Sequence, residues 1–217
     1  MTGLIWKDFF VMRKALKSYL LIMVLYAVLA YLELFNYSFI ITFIQVILMV
    51  LPISAFAYDE QAKWDRYAMS LPLGRRAVVG ARYLFLLILI LLTNLVGLGG
   101  ISILALVHEE ELTEMLLTLT VSAAIGLLVP SILLPLSYKF GAERARPFLY
   151  AIIFLPTIAI VLLVKADLLD LSVLNRLEAL PPEALLGGIT LLPPLIGLAV
   201  LFASYLISCR VVAGKEY

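Results

Sequence analysis

The stretch Asp59-Glu60-Gln61-Ala62-Lys63-Trp64-Asp65-Arg66-Tyr67-Ala68-Met69-Ser70-Leu71-Pro72-Leu73-Gly74-Arg75-Arg76 carries the densest chemistry in this sequence. Acids, bases and two large aromatics are gathered there. Asp59 and Glu60 suit the positive N-terminal end of a helix, and Pro72 with Gly74 stops one, so the sequence predicts a helix of roughly three turns. At helical spacing Glu60, Trp64, Tyr67, Ala68 and Leu71 fall on one side, with Lys63, Asp65 and Arg66 around them. The chemistry is recognition: a short exposed helix with Trp, Tyr and Arg is what a protein-binding hot spot requires. The same aromatics would also serve as anchors among lipid headgroups.

Catalytic patterns are missing elsewhere. No Gly-x-x-x-x-Gly-Lys-Ser/Thr loop is present, and the one Gly-Lys pair, Gly214-Lys215, is followed by Glu216. His108 stands among carboxylates at a loop edge, which suits an interfacial polar residue better than a Ser/His/Asp set. With one Cys, Cys209, and one His there is no zinc site and no intrachain disulfide. No metal or cofactor is expected on this chain, and the formal charge of +1 gives no pointer to a nucleic-acid partner.

The elements that must position this segment follow from composition. Of 217 residues, 64% are apolar and 14% charged, against about 45–50% and about 25% in soluble domains. A soluble fold cannot bury that much apolar surface. Stretches of roughly 17–25 apolar residues cross a bilayer as helices, and six are marked here: Ser18 to Phe35, Phe39 to Tyr58, Tyr83 to Val107, Met115 to Tyr138, Pro147 to Val164 and Gly187 to Cys209. The expected fold is all-α with six transmembrane helices in one domain. Lys7, Asp8, Arg13, Lys14 and Lys17 precede the first run without a small-residue cleavage site after it, so it is expected to stay as an anchor.

Three segments lie outside the spans. Residues 1–17 mix Trp6, Phe9 and Phe10 with bases, as an amphipathic helix at the membrane surface or as a plain basic flank. Residues 59–76 form the motif-rich loop. Residues 165–186 repeat Leu168, Leu171, Leu174, Leu177 and Leu180 before Pro181 and Pro182, which predicts short helices at the outer interface. Fourteen of the sixteen Lys and Arg fall on one side if the N-terminus is cytoplasmic, leaving Lys165 and Arg176 outside. Both termini are therefore expected in the cytoplasm.

Span interiors contain essentially no ionisable groups, which speaks against an ion- or proton-coupled carrier. The polar residues there are neutral, among them Gln45, Thr93 and Asn94. The two amides need hydrogen-bond partners in lipid, and could join helices or line a substrate path.

The order of an amphipathic N-terminal helix, two spans, an Asp-Glu-x-x-Lys-Trp-Asp-x-Tyr-x-x-Ser-Leu-Pro-x-x-Arg loop and four spans resembles the ABC-2 type transporter permeases of bacteria. Asp59, Glu60, Lys63, Trp64, Asp65, Tyr67, Ser70, Leu71, Pro72 and Arg75 carry the likeness. In size the chain is similar to small permeases that export amphipathic peptides such as phenol-soluble modulins and bacteriocins. The resemblance implies a subunit in the bacterial cell membrane that is not itself an enzyme. It implies a second permease copy or paralogue and separate ABC ATPase subunits that bind the ATP and magnesium. Within it the loop after the second span is the coupling helix, with Asp59, Glu60, Lys63, Trp64, Asp65, Arg66, Tyr67 and Leu71 toward the ATPase. The rival reading from the residues alone is a gradient-driven carrier or a membrane scaffold with no nucleotide partner.

Overall fold

In a computed structural model, residues 2–32, 37–69, 73–107, 112–166 and 191–215 are described. They form helices throughout: α1 (Thr2–Tyr31), α2 (Tyr37–Gln61), α3 (Trp64–Met69), α4 (Arg75–Val107), α5 (Leu112–Phe140), α6 (Ala142–Lys165) and α7 (Leu192–Ala213). Among the described residues, five stretches are long and apolar enough to cross a membrane: Ile40–Gln61, Arg75–Ser102, Met115–Phe140, Ala142–Lys165 and Leu192–Ala213. The end of the first expected span, residues 167–186 of the outer segment and the start of the sixth expected span (187–190) lie outside the described residues.

α5 is the hub, packing against α2, α4, α6 and α7. Its Leu127, Leu134 and Tyr138 meet Phe56 of α2, Val79, Tyr83, Leu86 and Ile90 of α4, and Leu201 and Val212 of α7 in the main core. Gln45 of α2 packs so closely on Gly126 of α5 that a Cβ there would lie 2.3 Å from the amide nitrogen. α6 behaves differently: Ala142 and Ala145 near its start are buried, while Phe154, Leu155 and Leu162 are exposed.

The N-terminal segment is not a separate surface helix. Residues 2–31 run as one helix, about 45 Å long at 1.5 Å per residue. Leu4, Asp8 and Met12, one turn apart, are buried on one stripe, and Met12 joins Leu51, Ala55, Phe85 and Leu89 in a second core. Trp6, Phe10 and Val11 stay exposed, so the segment is amphipathic, but its inner face rests on protein.

The helix expected from Asp59 is also rearranged. α2 continues through Gln61, so Asp59 and Glu60 occupy its last turn, and α3 is only six residues long. The chain turns at Ala62 and Lys63, where Lys63 takes a left-handed φ of 51° and donates its N–H to the Glu60 carbonyl. Two acids at a helix C-terminus oppose the helix dipole. What holds them there is tertiary, and dipole preference alone could not reveal it.

Candidate functional site

The last turn of α2, the turn at 62–63 and α3 sit against α1 and the first turns of α4. Asp59, 6% exposed, is the centre of the junction. Lys7 Nζ of α1 donates to both its carboxylate oxygens at 2.8 Å, and Arg82 Nη2 of α4 donates to Oδ2. Asp8 Oδ1 lies 3.0 Å from Lys7 Nζ and 3.1 Å from Arg82 Nη1. The Arg82 guanidinium also stacks over the Phe56 ring at 4.8 Å. Two cations and two anions thus meet, three of them almost wholly buried. Burial pushes the Asp8 carboxyl above its ordinary range, against the pull of Arg82 and Lys7. A cavity of about 20 Å³ beside the cluster, lined by Lys7, Asp8, Asp59, Trp64 and Arg82, has room for about one water.

This arrangement bears on two expectations. Arg82, one residue before the expected start of the third span, is buried within α4 and inside a stretch long and apolar enough to cross a membrane. Asp59 faces inward to Lys7 and Arg82. Burying such a group is tolerable because the charges are paired; removing one partner strands the others in a poorly solvated place.

Glu60 points elsewhere. Its Oε2 accepts the Ala142 N–H at 2.9 Å, supplying from α2 the cap that the N-terminus of α6 lacks locally. Gly141 makes this possible: its φ is +88°, and a Cβ there would stand 2.8 Å from Glu60 Oε1. Arg75 of the loop motif caps a helix as well. Its Nη1 donates to the carbonyls of Val212, Ala213 and Lys215 at 3.0–3.3 Å, where the negative end of the α7 dipole favours a cation.

Trp64 opens α3, half-buried, with Lys7 Nζ 4.7 Å from its ring centroid and the Tyr67 ring at 5.1 Å. Tyr67 is 59% exposed, Ala68 packs inward, and Lys63 and Glu60 are exposed. Asp65 and Arg66 lie on α3, and Leu71 falls outside the described residues. The expected site therefore divides. Tyr67 and Lys63 face outward with Trp64 half-buried beside them, while Asp59 and Glu60 use their carboxylates within the fold.

Gln45, Thr93 and Asn94 are not gathered into a site. Thr93 Oγ1 and Asn94 Nδ2 each bond a carbonyl one turn back in their own helix, at 2.8 Å, from Leu89 and Ile90. Gln45 is buried, and neither its amide oxygen nor its nitrogen has a hydrogen-bond partner among the described residues. The interhelical polar contact lies instead at Tyr83, whose hydroxyl is 2.7 Å from both Ser204 Oγ and Ser208 Oγ, while Ser204 donates to the Ser131 carbonyl. Since Ser204 spends its proton on Ser131, the donor order is Ser208 to Tyr83 to Ser204 to Ser131. The pair Ser204 and Ser208, one helical turn apart, was the legible signal for it.

Apolar helices of spanning length, with a polar junction at one end, define a multi-pass helical membrane protein. The chain belongs to the family described as ABC-2 family transporter protein, which it matches over residues 3–213. No match was found among curated proteins or among solved structures. Membership makes this a membrane component of transport, in agreement with the resemblance carried by the loop motif.

Proposed function

We propose that this chain is the permease subunit of an ATP-binding cassette exporter, and that α3 is the element through which a separate ATPase drives it. Family membership supports the permease role. The observation that carries the coupling role is the aromatic pair Trp64 and Tyr67, half-buried and exposed respectively, on a short helix whose base is fixed to α1, α2 and α4. In this reading the chain has six spans, the first being the distal part of α1, with both termini in the cytoplasm. Two copies, or this chain and a paralogue, enclose the transport path, and ATP and magnesium bind to the partner. The cargo is amphipathic or hydrophobic peptide, a reading supported by likeness in size and loop motif to small peptide-exporting permeases.

Trp64→Ala tests the coupling role. Truncating a central interface aromatic costs at least about 2 kcal/mol, or roughly thirtyfold in affinity, so capture of the ATPase by the solubilised permease should fall visibly. Normal capture together with normal ATP-driven transport would reduce α3 to a membrane anchor. Orientation is tested separately in a Cys209→Ser background. Single cysteines at Ala62 and Glu143 should be shielded from an impermeant thiol reagent in intact cells, and one at Ala166 should react.

A further inference from the structure

We infer that Lys7, Asp8 and Arg82 are positioning residues of the coupling element: with Asp59 they lock α1, the end of α2 and α4 to α3, so that a displacement of α3 reaches the bundle as one body. The inference rests on the proposed role of α3 and adds to it the parts that move with it.

Its basis is the pattern of contacts across the turn at 62–63. Lys7 holds Asp59 on the near side of that turn, at 2.8 Å to each oxygen, and the Trp64 ring on the far side, at 4.7 Å. α3 cannot swing relative to α2 without Lys7 releasing one of them. Arg82 holds the same Asp59 and also Asp8, and thereby joins the helix that enters α3 to the helix that leaves it. The two strands of chain that carry α3 are bridged beneath it. A left-handed residue in a two-residue turn would otherwise be a natural hinge.

The chemistry makes the joint stiff. Asp8, Asp59 and Arg82 are 3%, 6% and 5% exposed, so opening any pair leaves an unpaired charge where water solvates it poorly. Each cation also has a second hold, Lys7 on the Trp64 ring and Arg82 on the Phe56 ring. Neither Lys7 nor Arg82 needs to touch the ATPase, because Tyr67, 59% exposed, is offered outward. Loss of either cation should therefore leave capture intact and weaken the transmission of movement.

Two measurements decide it. For the first, spin labels at Gly3→Cys and Ala62→Cys in a Cys209→Ser background report the gap between α1 and the turn; both sites are exposed, and an added Cβ at Gly3 meets nothing within 4 Å. The parent protein in nanodiscs should give one narrow distance, and Lys7→Gln and Arg82→Gln should broaden it, with Arg82→Lys restoring it. An unchanged distribution in Lys7→Gln overturns the inference whether or not any ATPase binds. Lys7, whose side chain is 20% exposed, keeps the test available if Arg82→Gln does not fold. For the second, the complex with the ATPase that copurifies with the parent protein is placed in proteoliposomes with a fluorescent amphipathic helical peptide. Lys7→Gln should keep ATPase capture and ATP hydrolysis but lose transport. Lost capture, or transport at the parent rate, overturns the positioning role. If no ATPase copurifies with the parent, the proposed function fails by itself, while the spin-label result still decides whether the joint exists.

Discussion

Arg82 and Tyr83 are neighbours on α4, about 100° apart around the helix, and they anchor two polar knots of opposite kind. Arg82 reaches α1 and α2 through full charges; Tyr83 reaches α7 and α5 through hydroxyls that each give and accept in sequence. The hydroxyl chain satisfies each of its three donors and leaves no charge in the apolar interior, so it ties helices together at small cost. The charged knot is different: its members hold their places only while all are paired. A junction that must resist force gains from that all-or-none character, whereas a packing contact does not need it.

The contrast is broken or sharpened by four single substitutions and one rescuing change. The largest effect belongs to Arg82→Ala, which leaves two buried acids, Asp8 and Asp59, sharing Lys7 and should cost about 3–5 kcal/mol in a detergent unfolding measurement. A loss below about 1 kcal/mol, the range of exposed pairs, would mean that water reaches the cluster and that the charged knot is no stiffer than the neutral one. Next comes Gly126→Ala, where the new Cβ would meet the Gln45 amide at 2.3 Å. Overpacking of this kind costs typically 1–3 kcal/mol. Combining it with Gln45→Ala should recover much of the loss, and additive effects would show that the two residues do not touch.

Tyr83→Phe removes the link between Ser208 and Ser204 without opening a large void. Interhelical hydrogen bonds in membrane proteins are worth roughly 0.6–1.7 kcal/mol, so the variant should lie in that range, well short of Arg82→Ala. Equal losses would erase the distinction drawn here. The smallest change is expected of Asn94→Leu, whose amide donates to Ile90 of its own helix and to no other helix among the described residues; stability should stay within about 0.5 kcal/mol. Altered transport without altered stability in that variant would support Asn94 on the substrate path.

A short helix bearing Trp64 and Tyr67 was legible in the motif at 59–76, and the two rings do lie together on α3 with Tyr67 outward. Asp59 and Glu60 were misread because a helix-dipole argument knows only the chain nearby. Acids at the end of α2 are unfavourable until Lys7, Arg82 and the Ala142 N–H come to meet them. Gln45 was visible as a costly amide, but its seat on Gly126 was not, since nothing local pairs those positions.

Helicity, the apolar stretches and family membership are written in the sequence itself, because length and composition decide locally whether a segment can satisfy its backbone and lie in lipid. The tertiary structure alone chose the partners. Lys7 and Asp59 are 52 positions apart, Glu60 and Ala142 are 82, and Arg75 and Val212 are 137. Contacts at such separations depend on how α5 gathers the other helices, and the physical requirement that fixed them is that each buried charge and each open helix end must find its complement wherever packing brings one within reach.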